Sequence, residues 1–133
     1  MLTTPYSQQM NGILAEKKQN PVHHSAGYEL AARAAAYLEE HYTDKFSLDA
    51  IASTLYIDKI YLAKCFKQAT GDTLLQYHNR LRCEEAKRLL SSTDLPIEEV
   101  SSQVGYVTPS HFSRLFRKYT NMSPSQYRLE HTS

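Results

Sequence analysis

Five side chains between positions 110 and 118 carry hydroxyl or cationic groups at helical spacing: Ser110, Ser113, Arg114, Arg117 and Lys118. An arginine offers a planar fork that can hold guanine through two hydrogen bonds, and a serine hydroxyl can reach any base edge. A cation at the border of such a row meets phosphate oxygens instead. Together these are the groups needed to read a DNA major groove. Phe112, Leu115, Phe116 and Tyr119 fall between them at three- and four-residue steps, which builds an apolar face to hold the stretch against a core. Thr108 can cap the first amides and Pro109 suits the first helical position, so a helix is predicted over 109–119. An amphipathic helix with a merely solvated basic face has the same pattern, and this stretch alone leaves both readings open.

A second copy of the plan lies upstream. Leu48, Ile51 and Leu55 match Ile97, Val100 and Val104 at an offset of 49. After one extra residue in the second turn, Ile57, Leu62, Phe66, Lys67, Thr70 and Tyr77 match Val107, Phe112, Phe116, Arg117, Thr120 and Tyr127 at an offset of 50. Each copy reads as short helix, tight turn and second helix. Core packing accounts for the apolar periodicity, but not for a cation following the phenylalanine in both copies. In the first copy the groove-facing positions are Ile60, Ala63 and Lys64, with Lys67 at a phosphate. Ile60 and Ala63 have no hydrogen-bonding side chain and can only meet thymine methyls or fill space.

The elements that must position these residues are helical. Helices are predicted over 28–42, 48–55, 59–70, 73–92 and 97–104, followed by 109–119 and a last one capped by Ser123. The expected fold is all-α, with about seven helices. Two helix-turn-helix units, 28–72 and 93–133, are joined by a long central helix, 73–92, as a homeodomain-like tandem. Residues 1–27 read as a tail or linker, with a helical turn or two at 8–18; the alternative is the end of an upstream domain. Arg80, Arg82, Glu84, Glu85, Lys87 and Arg88 on the central helix mix both signs, the pattern of a solvated face.

Composition narrows the function. The 133 residues contain 4 glycines and 5 prolines, which favours helix over sheet, and no apolar run approaches the ~20 residues of a membrane span. The first residues lack the charged and apolar regions of a signal peptide. Cys65 and Cys83 lie in helical segments and are expected as reduced thiols. His23-His24 has no further ligand at metal-binding spacing. No phosphate loop, metal cluster or nucleophile motif is present, so neither enzymatic activity nor a cofactor or metal is expected. Net charge is only +1, yet the first 55 residues hold 4 basic and 6 acidic side chains while the remainder hold 11 and 8. A moderate positive bias at that end is compatible with nucleic acid. A helical protein-interaction module is the competing class.

Several segments resemble a known family. They are Phe66-Lys67 with Gly71, Tyr77 followed by Arg82 and Ala86-Lys87-Arg88-Leu89-Leu90, and Val104-Gly105-Tyr106. His111-Phe112-Ser113-Arg114-Leu115-Phe116-Arg117-Lys118 and Ser123-Pro124-Ser125-Gln126-Tyr127-Arg128 complete the set. The pattern, from about Tyr28 to Arg128, resembles the DNA-binding domain of AraC-type (AraC/XylS) transcription regulators. The resemblance implies a bacterial, cytoplasmic and nucleoid-associated regulator of double-stranded DNA, often an activator contacting RNA polymerase, with no membrane partner. It implies an effector or dimerisation function only through an upstream domain, so an excised domain or a short single-domain member is expected. Spacing and resemblance together place Ile60, Ala63, Lys64, Ser110, Ser113 and Arg114 at bases, and Lys67, Thr108, Arg117 and Lys118 at phosphates. The helices 59–70 and 109–119 would occupy adjacent major-groove segments on one duplex face. Three positions depart from the family's habit: Tyr56 and Asn121 stand where glycine is common, and Ser101 where alanine is.

Overall fold

The computed structural model describes residues 25–132. Among them are seven helices and no strand: α1 (Ser25–His41), α2 (Leu48–Thr54), α3 (Lys59–Thr70), α4 (Leu74–Ser92), α5 (Ile97–Gln103), α6 (Pro109–Thr120) and α7 (Pro124–His131). The predicted helices all form: 59–70 keeps both its ends, and elsewhere no end moves by more than three residues. The helical turn expected at 8–18 and the His23-His24 pair lie outside the described residues. Caps fix the starts: Ser47 accepts from the Ala50 amide, Asp58 from those of Ile60 and Tyr61, Thr108 from His111 and Ser123 from Gln126. Before α4, Thr73 accepts from the Gln76 amide at 3.1 Å while the Gln76 side chain accepts from the Thr73 amide at 2.8 Å, a reciprocal capping box.

Two compact units result, one made of residues up to His41 with Phe46–His78, the other of Tyr42–Lys45 with the chain from Asn79 onward. The boundary falls inside α4. In the first unit α1 packs on α3. Its buried stripe, Leu30, Ala31, Ala34, Ala35 and Leu38, is mostly alanine, which lets the two backbones come close. Leu62, Cys65, Phe66 and Ala69 of α3 are buried, and Phe66 meets Tyr77 edge-on at 5.6 Å between ring centres.

The second unit has a core of Cys83, Ala86, Leu89, Leu90, Val100, Val104, Tyr106, Phe112 and Phe116, flanked by partly buried Leu115, Tyr119 and Tyr127. Phe116 and Tyr127 repeat the edge-on ring pair at 5.5 Å. One sequence expectation is corrected here. Arg82 is not on the solvated face but 7 % exposed. Its Nε donates to the Tyr42 carbonyl at 2.5 Å and its Nη2 to that of Asp44 at 2.7 Å, and its guanidinium lies 4.8 Å from the centre of the Tyr106 ring. A buried cation is tolerated when carbonyls and an aromatic face replace its water. Arg82 thereby ties the Tyr42–Lys45 turn to α4.

The two turns are built by the same hydrogen bonds. After α2, the Tyr56 amide donates to the Ser53 carbonyl and that of Ile57 to Ala52; after α5, Gly105 donates to Ser102 and Tyr106 to Ser101. Both are Schellman endings with a left-handed residue, Tyr56 at φ 57° and Gly105 at φ 104°. Ile57 therefore corresponds to Tyr106 rather than to Val107, and Val107 is the inserted residue. It projects into solvent at 96 % exposure. The helix ends repeat as well. Thr70 and Thr120 each donate to the carbonyl four residues back at 2.8 Å, ahead of left-handed Gly71 and Asn121. Asn121 thus takes the conformation its side chain tolerates.

Burial raises two acids of the second core: the Cys83 thiol is pushed up to about 11 and the Tyr106 phenol to about 12. The unfolded chain releases these protons near the ordinary values of 9.0 and 10.0. Above the unfolded values the unfolded state binds fewer protons than the folded one, so stability falls as pH rises. Urea unfolding should keep its midpoint up to about pH 9 and lose it progressively toward about pH 12. A midpoint unchanged across that window would contradict the burial of both groups.

Candidate nucleic-acid interface

Of the ten residues placed at DNA by the sequence, eight are exposed. Ala63 and Ser113 are half-buried at equivalent positions of α3 and α6. In α6 the buried Phe112 and Phe116 fix the helix from behind, so Ser110, Ser113, Arg114 and Arg117 share the opposite side. From Ser110 to Arg117 the row runs about 10 Å along the axis. α6 carries Arg114, Arg117 and Lys118 and no acid. Lys118 Nζ lies 6.0 Å from the centre of the Tyr119 ring, and the Arg80 guanidinium from α4 lies 5.8 Å from it. Arg80 thus adds a cation beside α6, where its sequence pattern alone is that of a general solvated surface.

The first unit presents a different face. Ile60 is 73 % exposed although apolar, with Lys64 one turn further on. Lys59 is held by Asp49 at 2.9 Å, and that carboxylate raises its pKa. Lys67 Nζ donates to the Gly71 carbonyl at 2.8 Å, so it also caps the end of α3. Thr108 is likewise committed in part: its Oγ1 accepts from the His111 amide at 3.2 Å, which leaves its hydroxyl proton to donate outward. His111 is exposed, with its ring edge-on to Tyr106 at 5.3 Å.

Each unit therefore supports an exposed helix on a buried phenylalanine pair or its equivalent. The α6 face is rich in donors; the α3 face is apolar at Ile60 and Ala63 and cationic at Lys64 and Lys67. No group of three or more His, Cys, Asp or Glu side chains is gathered among the described residues, and none of their helices is long and apolar enough to cross a membrane.

Comparison with known proteins agrees with this geometry. A family model described as a helix-turn-helix domain matches residues 51–130. The HTH-type transcriptional regulator YisR of Bacillus subtilis is 40 % identical over 104 residues, which cover 78 % of this chain and 36 % of the relative. The HTH-type transcriptional activator RhaS of Escherichia coli is 36 % identical over 93 residues, 70 % of this chain and 34 % of the relative. The chain thus spans about a third of the length of these curated relatives. Among solved structures, an AraC-type DNA-binding domain-containing regulator from Chromobacterium violaceum superposes with a TM-score of 0.74 at 25 % identity, covering 80 % of this chain and 96 % of that one. By the family-model match and its tandem helix-turn-helix repeat, the chain belongs to the AraC-type (AraC/XylS) family of DNA-binding transcription regulators.

Proposed function

We propose that this chain binds double-stranded DNA sequence-specifically by laying α3 and α6 into adjacent major-groove segments on one face of the duplex. The observation that carries the reading is the repeat itself: two turns with the same hydrogen bonds, each delivering an exposed helix with a cation after its buried phenylalanine. Successive groove segments on one face are about 34 Å apart. One copy of the chain then covers a long, asymmetric site without a protein dimer. Bending the duplex to meet both helices would cost on the order of 1–6 kcal/mol.

Ser110, Ser113 and Arg114 read bases by hydrogen bonds, and Ile60 and Ala63 by apolar contact beside Lys64. Lys67, Thr108, Arg117 and Lys118 hold phosphates. The protein acts in the bacterial cytoplasm as a transcription activator that contacts RNA polymerase; its likeness to RhaS, a transcriptional activator, supports the activator role alone. Effector binding or dimerisation would require an upstream domain.

The phosphate roles are checked by salt dependence. Each neutralised phosphate adds about one unit to the slope of log affinity against log salt. Arg117→Ala should weaken cognate and random duplex about equally and make the slope shallower by about one. Lys67→Ala should do the same, with a loss of helix stability because its Gly71 contact goes too. An unchanged slope in both variants would remove the phosphate assignment.

A further inference from the structure

The Tyr56 position is unusual on three counts. Its backbone is left-handed at φ 57°, a conformation that costs any side chain with a Cβ. Its side chain is 93 % exposed, so packing does not compensate for that cost. The same Schellman position in the second unit is Gly105, which adopts it without strain. The turn's hydrogen bonds impose the left-handed backbone; what they do not require is a tyrosine there, and an exposed side chain kept where glycine would be unstrained points to a role outside the fold.

The place suggests what the role is. Tyr56 stands two residues before Asp58, the N-cap of α3, in the turn that leads into the helix. When a recognition helix enters a major groove by its N-terminal part, the turn ahead of it comes to the groove's edge, where sugars and phosphates line the duplex. Asp58 is engaged with the Ile60 and Tyr61 amides at 3.0 Å each, and Asp49 with Lys59 at 2.9 Å. At the start of α3 the Lys59 ammonium is thus already engaged, with Asp49. A phenol supplies what is lacking: a neutral donor on a broad, stiff ring that can lie against a sugar.

We infer that Tyr56 is a DNA-backbone contact of the first unit, its hydroxyl donating to a phosphate oxygen at the edge of the groove that receives α3. The inference rests on the DNA-binding reading above. Its 93 % exposed side chain is free of the core and available for that contact.

The test uses the whole chain, a mixed-sequence duplex long enough to span both units, and three variants. Tyr56→Gly relieves the strain, so its melting temperature should rise by about 2–6 °C while its affinity for the duplex falls about tenfold. Tyr56→Phe keeps ring and strain but loses the hydroxyl, so its melting temperature should stay put while affinity falls by a similar factor. Because a neutral donor releases no counterion, neither variant should change the salt slope, whereas Arg117→Ala should make it shallower. A Tyr56→Gly variant that is more stable and binds as tightly as the parent would overturn the inference. So would Tyr56 variants that bind normally yet fail to support transcription by purified polymerase, which would mark a protein contact instead. Failure of the parent itself to bind the duplex would be failure of the DNA-binding reading, a result separable from either.

Discussion

Arg114→Ala should weaken binding to the selected duplex by about 5- to 150-fold while changing affinity for random duplex only a few-fold. The reason lies in where the guanidinium stands. It projects from the middle of α6 on the side opposite buried Phe112 and Phe116, between Ser110 and Arg117. A fork in that position can satisfy the two acceptors of a guanine, and a wrong base leaves those donors unpaired. Lysine at 114 retains the charge but not the fork, so Arg114→Lys should recover random-duplex binding and not discrimination. Competition binding with both duplexes at one salt concentration checks this. Equal weakening on the two would make Arg114 a phosphate contact.

Gly105→Ala should destabilise the second unit by about 3 kcal/mol or more, and Gly71→Ala the first by only about 1 kcal/mol. Both glycines have positive φ, 104° and 81°, so both substitutions strain the backbone. Their surroundings differ. A Cβ at Gly71 meets nothing within 4 Å. A Cβ at Gly105 would lie 2.5 Å from the Thr43 carbonyl oxygen, 2.8 Å from Thr43 Cα and 2.9 Å from Arg82 Nη2. Two of those atoms are backbone, and the third belongs to a side chain anchored on Tyr42 and Asp44. Nothing nearby can yield cheaply, so strain and overlap add. Tyr56 accepts the equivalent conformation because no such neighbour confines it. Denaturant unfolding of the two variants separates the cases; equal losses would mean that φ alone sets the requirement for glycine.

The sequence made the architecture readable because its signals were redundant. Thr108-Pro109 and Ser123-Pro124 marked helix starts that the caps then supplied, and the paired Phe66 and Phe116 occupy matching buried sites. The register of the turns was harder. An offset of 50 pairs Ile57 with Val107, whereas the hydrogen bonds pair Ile57 with Tyr106 and leave Val107 as the insertion. Arg82 has the charge of a solvated residue but an inward position. It falls four residues after buried His78 and four before buried Ala86, a spacing that marks the inner face. Its carbonyl partners, Tyr42 and Asp44, come from a turn some forty residues upstream, and no local pattern announces them. Tyrosine itself gives no sign of the positive φ at position 56.

The site divides in the same way. Helical spacing was enough to put Ser110, Arg114 and Arg117 on one exposed side of α6. It did not show that Lys67 also caps α3 or that Arg80 stands beside Tyr119, because both depend on where a long side chain ends.

In the proposed function both units read DNA together, with α6 the more discriminating of the two. Selection of bound sequences from a random duplex pool, repeated at two salt concentrations, tests it most directly. The expected result is a motif of two half-sites about one helical turn apart, the sharper one losing its preference in Arg114→Ala. A single short half-site, or no enrichment at either salt concentration, would contradict it.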